Sequence, residues 1–122
     1  MTIAKQNRRS RTRLAPRVKV WLECNGRYAF GFGIAEILQA VERAGSIKQA
    51  ASDLGKSYRY VWGRIKDAEK SIGEPLVVTQ VGGHGAQRSS LTNTAREFTA
   101  SFTAMRQRMI AVMDEEFARR FV

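Results

Sequence analysis

The chain has 122 residues, with 21 Lys and Arg against 11 Asp and Glu, a formal charge of +10 at pH 7 and 43% hydrophobic residues. That length and apolar content suit one modest core and argue against wholesale disorder, and no run approaches the ~20 apolar residues of a membrane span. One cysteine (Cys24) and one histidine (His84) leave no intrachain disulfide and no Cys/His metal cluster. The expectation is a reduced, intracellular protein without metal or cofactor, whose partner is a polyanion, with duplex nucleic acid foremost.

Residues 1–17 carry six basic side chains (Lys5, Arg8, Arg9, Arg11, Arg13, Arg17) and no acidic one, and without them the remainder is only +4. The segment is too poor in apolar residues to fold alone. It is expected to be a flexible basic arm, with Arg8, Arg9, Arg11 and Arg13 neutralising phosphates. The alternatives are a solubilising start or a transit peptide, and the thin apolar face of the segment weighs against the latter. Residues 18–122 are expected to form the folded domain.

Val18 to Cys24 alternates and is β-rich, and Asn25-Gly26 is a two-residue hairpin signal. Arg27 to Gly31 supplies the return strand. From Gly33 the period becomes helical, with Ile34, Ile37, Leu38 and Val41 on one face and Gly45 as the stop. Ser46 reads as an N-cap for a short helix whose inner side is Ile47, Ala50, Ala51 and Leu54. Gly55 breaks it, Ser57 caps again, and a longer helix runs to Ile72 before Gly73 and Pro75. Leu76 to Val81 is a strand, Gly82-Gly83-His84-Gly85 a loop, and Ser89 to Leu91 a short pairing strand. A long helix of about 92–118 then begins at Thr92 or at Thr94, which has capping-box spacing with Glu97.

Two short helices joined by a glycine turn, followed by a glycine-tipped hairpin, describe a winged helix-turn-helix. The fold class is therefore mainly α with small β: an N-terminal β-hairpin, the winged unit and a long C-terminal dimerisation helix. On the second helix Tyr58, Val61, Ile65, Ala68 and Ile72 share the expected buried face. Arg59, Tyr60, Gly63, Lys66, Asp67 and Lys70 face away. Arg59 can donate twice to a guanine edge, Lys66 and Lys70 can reach phosphates, and Gly63 permits close approach. Lys56, Ser57 and Tyr58 open this helix. Ser46, Lys48 and Gln49 open the first, where free amides attract phosphate. Trp62, at the margin, is expected in the core rather than as a base-stacking platform. The bland alternative is a helical hairpin with a solvated basic face.

In the wing, Gly82, Gly83, His84, Gly85, Gln87 and Arg88 are candidates to track the DNA backbone. The loop lacks the Gly-Lys-Ser/Thr ending of a phosphate-binding loop. Gly31-Phe32-Gly33 places Glu36 where a dinucleotide fingerprint needs its third glycine, which would repel a pyrophosphate. In the last helix Ala95, Phe98, Phe102, Met105, Met109 and Val112 step by 3, 4, 3, 4 and 3. This is a seam of about two and a half heptads. Phe98, Phe102, Met105, Met109 and Val112 are candidate homodimer contacts, although the first half of the helix could equally pack on its own domain.

Gly45-Ser46-Ile47, Ala50-Ala51, Leu54, Ser57-Tyr58-Arg59, Trp62, Ile65, Gly73, Pro75-Leu76-Val77, Gly82-Gly83 and Leu91-Thr92 together resemble the DNA-binding domain of the ModE molybdate-responsive regulators. The likeness covers roughly residues 18–115. More distantly, Ala50-Ala51-x-x-Leu54-x-x-Ser57 with Val61 and Ile65 is similar to the LysR-type winged helix. The resemblance implies a dimer that binds operator DNA through Ser57, Tyr58, Arg59 and their neighbours, in a prokaryotic cytoplasm and on the nucleoid. The sequence departs from the family at Ala86, which shortens the wing's glycine run, and at Ala95, where the family has glycine. The 122 residues contain nothing resembling the family's oxyanion-binding domains. Molybdate sensing is therefore not expected of them, and such a form would act constitutively, use a separate sensor protein or respond to another signal.

The leading expectation is a sequence-specific transcriptional regulator acting on a pseudo-palindromic site. The alternative is an architectural or nonspecific nucleic-acid-binding protein. No carboxylate pair or Ser/His/Asp arrangement points to an enzyme.

Overall fold

The structure, a computed structural model, describes residues 13–82 and 87–122. They divide into two compact units: Trp21–Thr103, and the residues up to Val20 together with Ala104–Val122.

The larger unit opens with an antiparallel hairpin, β1 (Trp21–Cys24) and β2 (Arg27–Gly31). Asn25 (φ 54) and Gly26 (φ 78) both take the left-handed conformation that a tight two-residue turn requires. Val18 to Val20, expected in the first strand, lie outside it. Trp21 already pairs with Gly31, and the chain turns helical at Phe32, so nothing stands opposite the earlier residues. A bulge between Leu22 and Glu23 shifts the register at Ala29, and Phe30 is fully buried.

Helix α1 (Phe32–Ala44) buries Ile34, Ile37, Leu38 and Val41, the face its 3.6-residue period specifies. It packs against both helices that follow, against β2 and against the second strand of the wing. Helix α2 (Ile47–Leu54) starts at Ser46, whose Oγ accepts from the Gln49 amide at 3.0 Å. Ala50 and Ala51 are buried against α1 and α3, where small side chains permit close crossing. At Gly55 (φ 67) the chain takes the sharp turn, and the Lys56 amide donates to the Ala51 carbonyl at 2.9 Å. Helix α3 (Tyr58–Ile72) is capped by Ser57 Oγ on the Tyr60 amide at 3.1 Å.

The wing is an antiparallel pair, β3 (Val77–Val81) and β4 (Gln87–Leu91), with Val77 opposite Leu91 and Val81 opposite Gln87. Its second strand is two residues longer than the expected Ser89–Leu91. Helix α4 (Asn93–Phe121) follows. The competition for its cap goes to Thr92: its hydroxyl accepts from the Ala95 amide at 3.1 Å and donates to the Pro75 carbonyl at 2.9 Å. Thr94 instead donates to Glu74 at 3.1 Å, so the capping box with Glu97 does not form.

Phe30 sits edge-on to Phe98 and Phe102, with ring centroids 5.7 and 5.5 Å away. Phe102 is buried in this core and Phe98 half-buried. Their rings are thus packed within their own unit, the alternative that the sequence leaves open for the first half of this helix. In the smaller unit, Ala104–Phe121 is helical, with Met105 and Val112 half-buried and Met109 42% exposed. Phe117 and Phe121 stack at 5.4 Å, and Glu116 pairs with Arg119 and Arg120. Among the described residues no helix is long and apolar enough to cross a membrane.

Candidate nucleic-acid interface

The inner side of α3 is Val61, Ile65 and Ala68, all buried. By helical periodicity Arg59, Gly63, Lys66 and Lys70 point the opposite way. Arg59, Lys66 and Lys70 are exposed and Gly63 is half-buried. Among the described residues no carboxylate pairs with Arg59 or Lys70, so their charge is available to an anion.

The flanks of this face correct two expectations. Tyr58 and Trp62, placed by sequence on the buried side, are 47% and 45% exposed. They lie four residues apart on the edge of the inward face, outside the buried stripe of Val61, Ile65 and Ala68. The Lys66 ammonium lies 5.6 Å from the Trp62 ring and 3.2 Å from Glu69 Oε1. On the other flank Tyr60 is bracketed by two cations, Lys56 at 5.7 Å and Arg64 at 5.9 Å from its ring, and Arg64 donates to its hydroxyl at 3.0 Å. Trp62 was weighed as a base-stacking platform and assigned to the core, and Arg64 was missed as a candidate. Tyr60 and Arg64 at i, i+4 were the available signal for Arg64.

Beside the start of α3 is an open cleft of about 270 Å³, lined by Ser46, Ile47, Lys48, Tyr58, Thr79, Gln87 and Ser89. It brings together the first helix, the second helix and the wing, three segments that sequence reasoning could name but not juxtapose. Its lining of hydroxyls, an amide and one ammonium, beside the N-terminal amides of α2, suits a phosphate oxygen. Gln49, also expected here, is exposed and donates to Asp53 at 2.8 Å.

Two sets of hydrogen bonds fix the wing to the helices. The Ser89 amide donates to the Gly45 carbonyl at 2.8 Å. Glu69, its side chain 14% exposed, accepts from the Leu76 and Val77 amides at 2.8 and 3.2 Å. One carboxylate on α3 thus holds the root of β3 and, through its other oxygen, Lys66. Of the wing candidates, Gln87 and Arg88 are exposed and Gly82 half-buried. Gly83, His84 and Gly85 lie outside the described residues, as do Arg8, Arg9 and Arg11 of the arm, while Arg13 is exposed. Among the described residues no group of three or more His, Cys, Asp or Glu could hold a metal ion.

Comparison with known proteins agrees with this geometry. The pattern of the family described as "Bacterial regulatory helix-turn-helix protein, lysR family" matches residues 34–96. The "Molybdenum transport protein ModE" of Azotobacter vinelandii is 36% identical over 69 residues, 57% of this chain and 26% of that protein. The protein of the same description from Herbaspirillum seropedicae is 30% identical over 80 residues, 66% of this chain and 30% of that one. The chain therefore spans less than a third of the length of these relatives. Among solved structures, the DNA-binding domain of CbnR in a complex with DNA superposes with a TM-score of 0.57. It covers 74% of this chain and 98% of that one at 20% identity, a likeness of fold alone.

Proposed function

This chain belongs to the lysR family of bacterial regulatory helix-turn-helix proteins, and from that premise we propose that it is a transcriptional regulator that binds a pseudo-palindromic operator as a homodimer. The observation that carries the reading is the division of α3. Its buried side is wholly apolar, while the opposite side sets Arg59, Lys66 and Lys70 along one line beside a wing tied to the same helix. In this reading α3 enters the major groove and Arg59 donates to a guanine edge. The cleft of Ser46, Lys48 and Tyr58 receives a backbone phosphate, and Gln87 and Arg88 lean on the adjoining strand. The basic residues of 1–17 add salt-sensitive affinity. Met105, Met109 and Val112 form the dimer seam, and two-fold symmetry of the protein selects two-fold symmetry in the site. The setting is a prokaryotic cytoplasm, and no catalytic step is involved.

Architectural, sequence-independent binding is the competing reading, and the concentration of six basic residues in the first 17 favours it. Selection of sites from randomised duplex DNA at ~0.15 M salt, with and without residues 1–17, separates the two. An inverted repeat, bound at least ~10³-fold better than random duplex, is the expected result. Recovery of no motif, with binding that collapses once the arm is removed, would establish the architectural role instead.

A further inference from the structure

Glycine in the middle of a helix is destabilising relative to alanine, and α3 has one at Gly63 in the centre of its outward face. Six other glycines of this unit have reasons in the protein. Gly26, Gly45, Gly55 and Gly73 have positive φ, and a Cβ on Gly31 or Gly33 would press on Tyr28 or Arg64. Gly63 has neither reason. Its φ is not in the left-handed region, and a Cβ built on it meets nothing within 4 Å beyond its chain neighbours and the backbone of its own helix. The helix therefore carries a gap that its own fold does not require. Arg59 precedes the gap by one turn, Trp62 adjoins it, and Lys66 is drawn aside onto the Trp62 ring and Glu69.

We propose that Gly63 is a specificity-determining position, whose missing side chain opens a shallow apolar recess that admits the 5-methyl group of a thymine in the major groove. The inference rests on the proposed function and deepens it. The thymine methyl is the one apolar projection of the major-groove edge. The floor of the recess is the Gly63 Cα, bare of side chain and open to solvent on that side, and the Trp62 ring on the preceding residue is 45% exposed. Any side chain at 63 would stand where the methyl goes. The recess thus reads thymine by shape, next to the base that Arg59 reads by hydrogen bonding.

The test pairs a methyl added to the protein with a methyl removed from the DNA. Wild type and Gly63→Ala are titrated against the selected duplex, against the same duplex with each thymine replaced in turn by deoxyuridine, and against a scrambled duplex. Gly63→Ala is expected to melt higher than wild type, so any lost binding is not lost folding. Wild type should bind about fourfold more weakly when one particular thymine per half-site loses its methyl. Gly63→Ala should bind the selected duplex on the order of tenfold more weakly, recover on the deoxyuridine duplex, and match wild type on scrambled DNA. If wild type discriminates the selected from the scrambled duplex but no deoxyuridine matters, or if Gly63→Ala keeps full affinity, the recess is not read and this inference alone is overturned. If wild type binds selected and scrambled duplexes equally, operator recognition itself is wrong, and the inference falls with it.

Discussion

Arg59 leaves the first turn of α3 on the side away from Val61 and Ile65, and no carboxylate among the described residues neutralises it. Its removal therefore exposes no buried partner, and the cost should appear in DNA recognition rather than in folding. Arg59→Ala is expected to lower affinity for the selected site by about 1–3 kcal/mol while leaving scrambled-duplex binding nearly unchanged. Paired titrations at one salt concentration check this, and an equal loss on both duplexes would contradict a base-reading role. Thr99 is the opposite kind of residue. It is 7% exposed in α4, and its hydroxyl finds no hydrogen-bond partner among the described residues. Thr99→Val keeps the shape and removes the unsatisfied group, so it is expected to stabilise the fold by about 1 kcal/mol. Thermal unfolding should show a midpoint about 4 °C higher, and a lower midpoint would mean that the hydroxyl has a partner after all.

At the scale of elements, one side chain links α3 to the root of the wing through two hydrogen bonds. Glu69 accepts from the amides of Leu76 and Val77 in a mostly buried position. Glu69→Ala leaves both donors without that acceptor, so a loss of roughly 1–3 kcal/mol of stability is expected. Hydrogen exchange should become faster at Leu76 and Val77 but not at buried α1 positions such as Leu38. Uniform acceleration throughout would show that Glu69 supports the whole fold rather than the wing root. None of this was legible in the sequence, because the acceptor and its donors lie on different elements and nothing in either marks the other. The same holds for the bond from Ser89 to the Gly45 carbonyl. Signals confined to about four residues were legible: the caps at Ser46 and Ser57, the turn at Asn25-Gly26 and the buried stripe Ile34, Ile37, Leu38 and Val41. Where periodicity put a residue on the border between faces, as with Tyr58 and Trp62, it misplaced the ring, because a helical wheel records direction and not the room available there. The heptad steps of α4 were likewise ambiguous, since Phe98 and Phe102 satisfy the same spacing by packing on Phe30.

For the whole molecule, the proposed dimer seam in the C-terminal half of α4 would set whether one recognition helix acts or two. Met109 is 42% exposed and lies midway along the proposed seam. Met109→Lys is expected to raise the dimer dissociation constant by at least about tenfold, since a charge would enter an apolar contact. Sedimentation equilibrium measures this directly, and an unchanged association state would place the interface elsewhere. The division of α3 reaches further than any single contact. The side chains that hold the helix in place, Val61, Ile65 and Ala68, are disjoint from those that face outward, Arg59, Gly63, Lys66 and Lys70. An outward residue can be exchanged with little effect on the core, and a core residue can be repacked without altering the outward face. Selection can therefore rewrite the outward face one residue at a time, each intermediate still folded, and under the proposed function a descendant would acquire a new address on the chromosome while inheriting an unchanged scaffold.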